Sequence, residues 1–132
     1  MPEEVFKYTK KKCKKNSLIG LLCTEGTLKP DVYGNFFNKS FKLVYPSKII
    51  QKKNVNKAIK FVKMGKVKSA SKIIKPAIDC LVKKKCKKII LGCTELPIAI
   101  FAFKSFKKIK SSKTFLDPNL ILADAAMRKY NK

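Results

Sequence analysis

Residues 87–98 read KKIILGCTELPI. Two lysines lead into Ile89, Ile90 and Leu91, Gly92 ends the run, and Cys93, Thr94 and Glu95 follow before the chain turns apolar again. A short apolar run bounded by charge and glycine has the make-up of a buried strand. Pro97 stands where the first turn of a helix tolerates it. A strand passing straight into a helix is half of a βαβ unit, from which parallel sheets are built. The same grammar appears earlier. LIGLLCTEGTLK, at 18–29, carries a second Cys-Thr-Glu at Cys23, Thr24 and Glu25, again after an apolar run.

Working outward, residues 3–15 read as a basic helix with Glu3 and Glu4 at its favourable N-terminal end. SLIGLL is a strand apolar on both faces, TEGT a turn, and 31–38 a short helix entered near Pro30. FKLVYP alternates toward a second strand stopped by Pro46. Asn54 is placed to cap a helix running through Met64 and ended by Gly65. A further helix starts near Ser69, with Ala70, Ile73, Ile74, Ala77, Ile78 and Leu81 at helical spacing and a kink or break expected at Pro76. KKIILG is the third strand, LPIAIFAF a short apolar helix and KTFLD the fourth strand. Asp117 and Pro118 cap and open a C-terminal helix. This alternation predicts an α/β fold, a parallel four-stranded sheet with helices on both faces. Ligands of such sheets gather at the carboxyl ends of the strands, where both tripeptides stand. Residues 1–16 read as a basic N-terminal helix or extension, and 17–132 as one α/β domain.

The net charge of +24 invites a nucleic-acid role, yet of 32 basic residues only Arg128 is arginine. Phosphate and base recognition favours the bidentate guanidinium. Lysines dispersed along the whole chain read instead as a solvated surface. The five cysteines form no CxxC pair, so neither a disulfide framework nor a zinc site is suggested, and reduced thiols fit a cytoplasmic protein. The N-terminal stretch lacks the apolar core of a signal peptide, and no apolar run is long enough to cross a bilayer.

With no histidine in the chain, a Cys-His hydrolase is excluded, and no glycine-rich phosphate loop occurs. A cysteine used as a proton-transfer base remains open. At the start of a helix Cys93 would meet free amides that favour the thiolate, with Thr94 adding a hydroxyl and Glu95 an acceptor for an ammonium group. The plainer alternative is an inert cysteine at a strand end. Thr24 and Thr27 flank Gly26 and offer two hydroxyls and backbone amides to an anion; the alternative is local turn capping.

These segments resemble the aspartate/glutamate racemase superfamily, its aspartate racemase branch in particular. IILGCTELPI resembles the motif of the second catalytic cysteine, and LIGLLCTEGTLKPDVY the segment that opens the second half of the enzyme. FVKMGKVK resembles the segment of the substrate lysine and puts Lys63 30 residues before Cys93. TFLDPNLILADAA resembles the closing strand and helix. Glu95 points to the aspartate branch, since glutamate racemases usually carry histidine there. The resemblance implies one half of a two-domain fold and a racemase that uses no cofactor, in which two cysteines act on opposite faces of the substrate α-carbon. It implies Cys93 as one of them, Thr24 and Thr27 on a substrate carboxylate with Lys63 as charge partner, and Thr94 and Glu95 as further substrate contacts. The substrate class is a small acidic amino acid, aspartate or glutamate.

Only the second half of such an enzyme is resembled. The Cys-Asn-Thr motif of the other half does not occur, and Cys23 stands where the family usually has alanine. The expectation is therefore activity with a separately supplied N-terminal half, or self-association through apolar surface on LPIAIFAF and the C-terminal helix. A non-catalytic module that binds acidic amino acids is the alternative, and a basic nucleic-acid-binding protein a third. A membrane partner is not expected.

Overall fold

The structure is a computed structural model that describes residues 2–28, 33–102 and 114–130. Its elements are α1 (Pro2–Lys12), β1 (Leu18–Leu22), α2 (Glu25–Leu28), α3 (Gly34–Phe37), β2 (Lys42–Val44) and α4 (Lys48–Ile50), which runs into a π-helical segment, Gln51–Asn56. There follow α5 (Lys57–Lys63), α6 (Val67–Lys83), β3 (Lys88–Leu91), α7 (Glu95–Phe101), β4 (Phe115–Leu116) and α8 (Pro118–Tyr130). The four strands form one parallel sheet in the order β2-β1-β3-β4. The expected α/β class and strand number are found.

Both faces of the sheet are covered, as the uninterrupted runs Leu18–Leu22 of β1 and Ile89–Leu91 of β3, without polar alternation, require. Leu22, Ile89 and Leu91 face α5, α6 and α7, packing with Ile74, Ile78, Leu81 and Leu96. Ile19, Leu21, Cys23 and Ile90 face α1 and α3, packing with Val5, Tyr33, Phe37 and Phe41. Gly20 points at α6, where a Cβ would lie 2.9 Å from Leu81 Cδ1. Phe37 is fully buried and meets Phe6 edge-on at 5.3 Å and Phe41 at 5.8 Å, joining α1 to the sheet. Phe37→Ala is expected to cost about 3–5 kcal/mol, read as a lower urea midpoint at unchanged m-value.

Three local expectations are corrected. The helix before Gly65 begins at Lys48, not Asn54: Ser47 Oγ accepts from the Ile50 amide, while Asn54 Nδ2 donates to the Ile73 carbonyl of α6 at 2.7 Å. The TEGT turn is the short helix α2, and α6 passes through Pro76 unbroken. Pro76 has no amide hydrogen to offer the Lys72 carbonyl, and both residues are exposed. The expected helix over 31–38 is seen as α3; residues 31 and 32 lie outside the described residues, as do Phe103 and Lys113.

Ile98 and Phe101 of α7, and Leu120, Leu122 and Met127 of α8, are exposed apolar side chains. Among the described residues no helix is long and apolar enough to cross a membrane.

Candidate active site

The strand order sets the site. From β1 the chain steps to β2 on one side, while β3 lies on its other side, so the connections diverge above β1 and β3. That divergence opens a crevice at the carboxyl ends of the two strands. Leu22 pairs with Leu91, and the Gly92 amide donates to the Leu22 carbonyl at 2.7 Å. The two Cys-Thr-Glu tripeptides therefore leave the sheet side by side.

Gly92 is what lets them come so close. A Cβ there would lie 2.8 Å from Cys23 Cβ and 3.1 Å from the Leu22 carbonyl oxygen. Cys23 itself is 0 % exposed and packs on the α1/α3 side of the sheet. Burial, with a smaller push from Cys93, raises its thiol to about 12. Cys23 is thus a neutral core side chain at physiological pH.

Cys93 is half-buried and lines a cavity of about 100 Å³ with Leu91, Gly92, Thr94, Pro118 and Asn119. The backbone amides of Glu95 and Leu96, at the start of α7, donate to its sulfur and favour the thiolate. Burial outweighs them, and the Glu95 carboxylate adds to burial, so the thiol lies above its ordinary range. The lowered value expected from helix position alone is not found.

The remaining candidates fall into two groups. Thr24 Oγ1 and Thr27 Oγ1 are 3.1 Å apart, and the Thr27 amide donates to Thr24 Oγ1 at 3.3 Å. This closes a compact turn bearing both hydroxyls after β1. On the other strand end, Thr94 Oγ1 donates to Glu95 Oε2 at 3.1 Å, and Lys63 Nζ from α5 stands 3.9 Å from Glu95 Oε1. Lys63 is exposed and Glu95 largely covered, so the ammonium is free to swing toward an anion without losing a buried partner.

Two residues were not signalled by the sequence. Asn119 reaches the Cys93 cavity from the start of α8, where its amide is held by Asp117 Oδ1 at 3.0 Å. Gln51 touches the Cys23 turn from the π-helical segment, 28 residues on. Gln51 is an isolated polar residue in a lysine-rich stretch and Asn119 a lone amide after Asp-Pro at a helix start, and neither carries a sequence pattern that marks a site. Broader grooves lie elsewhere, including one of about 820 Å³ between α1 and α8 lined by Lys7, Lys11 and Arg128.

A family model described as Asp/Glu/Hydantoin racemase matches residues 1–126. The chain is 34% identical over 83 residues to a protein of Pectobacterium carotovorum subsp. carotovorum described as an uncharacterized protein in the pnlA 3′ region; the match covers 62% of this chain and 55% of that one. It superposes on the Picrophilus torridus aspartate racemase with a TM-score of 0.68 at 25% identity, over 88% of this chain and 45% of that one. The chain thus spans about half the length of the proteins it resembles.

Proposed function

The chain belongs to the Asp/Glu/hydantoin racemase family, and from that premise we propose that it is the Cys93-bearing half of an aspartate-type amino-acid racemase that needs no cofactor. What supports this is a cavity-lining thiol after β3, an exposed ammonium paired with the neighbouring Glu95, and a hydroxyl pair in the turn after the adjacent strand β1.

In this proposal Thr24, Thr27 and Lys63 hold a substrate carboxylate. Cys93, once ionised, takes the α-proton: the Cα–H pair stays on carbon, delocalised into the adjacent carboxylate, and the sulfur becomes a thiol. The Glu95 and Leu96 amides stabilise the sulfur anion. Glu95 and Thr94 receive the substrate ammonium. Inversion needs a second acid on the opposite face. Cys23 does not supply it, being buried on the far side of the sheet. The second acid comes from a complementary half, which also covers the exposed apolar side chains of α7 and α8. A cytoplasmic setting keeps the thiols reduced.

L-aspartate in D₂O, followed by proton NMR with and without a relative's Cys-Asn-Thr half, tests this. Exchange of the α-proton is expected, and inversion only with the second half. Absence of exchange in both conditions would overturn the proposal. Lys63→Met should weaken aspartate binding roughly 10- to 100-fold, the loss of one charge-assisted contact. Its melting temperature should hardly move, because an exposed ion pair contributes little. Unchanged affinity by titration calorimetry would remove Lys63 from the site.

A second reading is favoured by the raised Cys93 thiol: a module that binds acidic amino acids without turning them over. Binding without α-deuteration, in both conditions, would select it.

A further inference from the structure

We infer that Gln51 is a positioning residue for the Cys23–Thr24–Glu25 turn, fixing the hydroxyl pair that meets the substrate carboxylate; this rests on the function proposed above.

Gln51 is 5% exposed, and its side chain reaches under the turn from the π-helical segment. Its Nε2 donates to the Cys23 carbonyl at 2.9 Å and to Asn56 Oδ1 at 2.8 Å. Asn56 Nδ2 in turn donates to Glu25 Oε1 at 3.1 Å. One amide thus grips the residue before Thr24, and its relay grips the residue after. Both acceptors face Nε2, so the amide has one orientation; the flipped form would set oxygen against oxygen.

The helix type makes the relay possible. Residues five apart on an α-helix point roughly 140° away from each other. The i→i+5 bonding of the π-helical segment stacks residue 56 over residue 51, bringing the two amides together. Gln51 Oε1 is buried with no hydrogen-bond partner. A side chain present for packing alone would be better replaced by leucine, which leaves no polar atom stranded. The two donors are what glutamine supplies here.

The test uses Gln51→Leu, of similar volume but without donors, and Asn56→Ala, which breaks only the relay at a half-buried position. The readouts are NMR relaxation of threonine and leucine methyls and the dissociation constant of L-aspartate. In Gln51→Leu the Thr24 and Thr27 methyls should loosen while those of Leu22 and Leu91 stay rigid, and aspartate affinity should fall at least tenfold. Asn56→Ala should loosen the same two methyls less, with an affinity loss of a few fold. A scaffold role alone would lower the melting temperature and leave threonine order and affinity as in the unaltered protein, and that result would overturn the inference. Should Gln51→Leu not fold, rigid Thr24 and Thr27 methyls in Asn56→Ala overturn it equally. If the unaltered protein binds no aspartate, the functional reading fails, and the methyl relaxation alone decides for or against positioning.

Discussion

Gly92→Ala is expected to destabilise the domain by about 1–3 kcal/mol, an overpacking penalty. The added methyl would meet Cys23 Cβ at 2.8 Å, the Leu22 carbonyl oxygen at 3.1 Å and Leu21 Cδ1 at 3.3 Å. Two of these obstacles, Leu22 O and Cys23 Cβ, belong to or sit on the backbone of a central strand, so they cannot yield as a flexible side-chain tip would. The same insertion pushes on the hydrogen bond from the Gly92 amide to Leu22, which sets the spacing of the two strand ends. For a domain of this size the melting temperature should fall by roughly 5–10 °C. Cys23→Gly removes the nearest obstructing atom. In that background the Gly92→Ala penalty should shrink by about 1 kcal/mol, a direct coupling between the two tripeptides. Equal penalties in both backgrounds would show that the tripeptides do not abut.

Cys93 governs the second large effect. Its thiol lies above the ordinary range because burial outweighs the two amides at the start of α7. Only the thiolate can accept a proton, so α-proton exchange should be slow at neutral pH. It should climb about tenfold per pH unit and keep climbing beyond the ordinary thiol value near 9. The sign for stability is opposite. A thiol whose folded pKa is raised contributes stability below its unfolded value, and that contribution is lost as pH rises through the folded value. Cys23, at about 12, and Tyr33, also pushed up to about 12 by burial, act in the same direction. The domain should therefore lose stability in strong alkali while exchange accelerates. A rate already flat between pH 6 and 8 would mean that substrate or partner lowers the thiol far more than the helix start does.

Much of this was legible in the residues. The apolar runs at 19–22 and 89–91 are buried on both faces because helices cover both, and that pattern names a parallel strand. Asp117 and Pro118 opened α8 as their chemistry dictates. What the sequence hid has physical causes. The π-helical segment carries no 3.6-residue rhythm, so Asn54 looked like a cap when its side chain instead ties the segment to α6. Pro76 looked like a breaker, but six buried residues on the opposite side of α6 hold the helix through it. The direction of the Cys93 shift turns on how much protein surrounds the sulfur, which no local spacing encodes. Gln51 and Asn119 come to the strand ends through tertiary folding alone.

Whether Cys93 transfers the α-proton is decided by α-deuteration of L-aspartate in D₂O, comparing the unaltered chain with Cys93→Ala, each combined with a relative's Cys-Asn-Thr half. Exchange is expected to rise with pH in the unaltered chain and to fall at least roughly 100-fold in Cys93→Ala, the loss of a positioned base. Exchange at the same rate in both would contradict that role for Cys93.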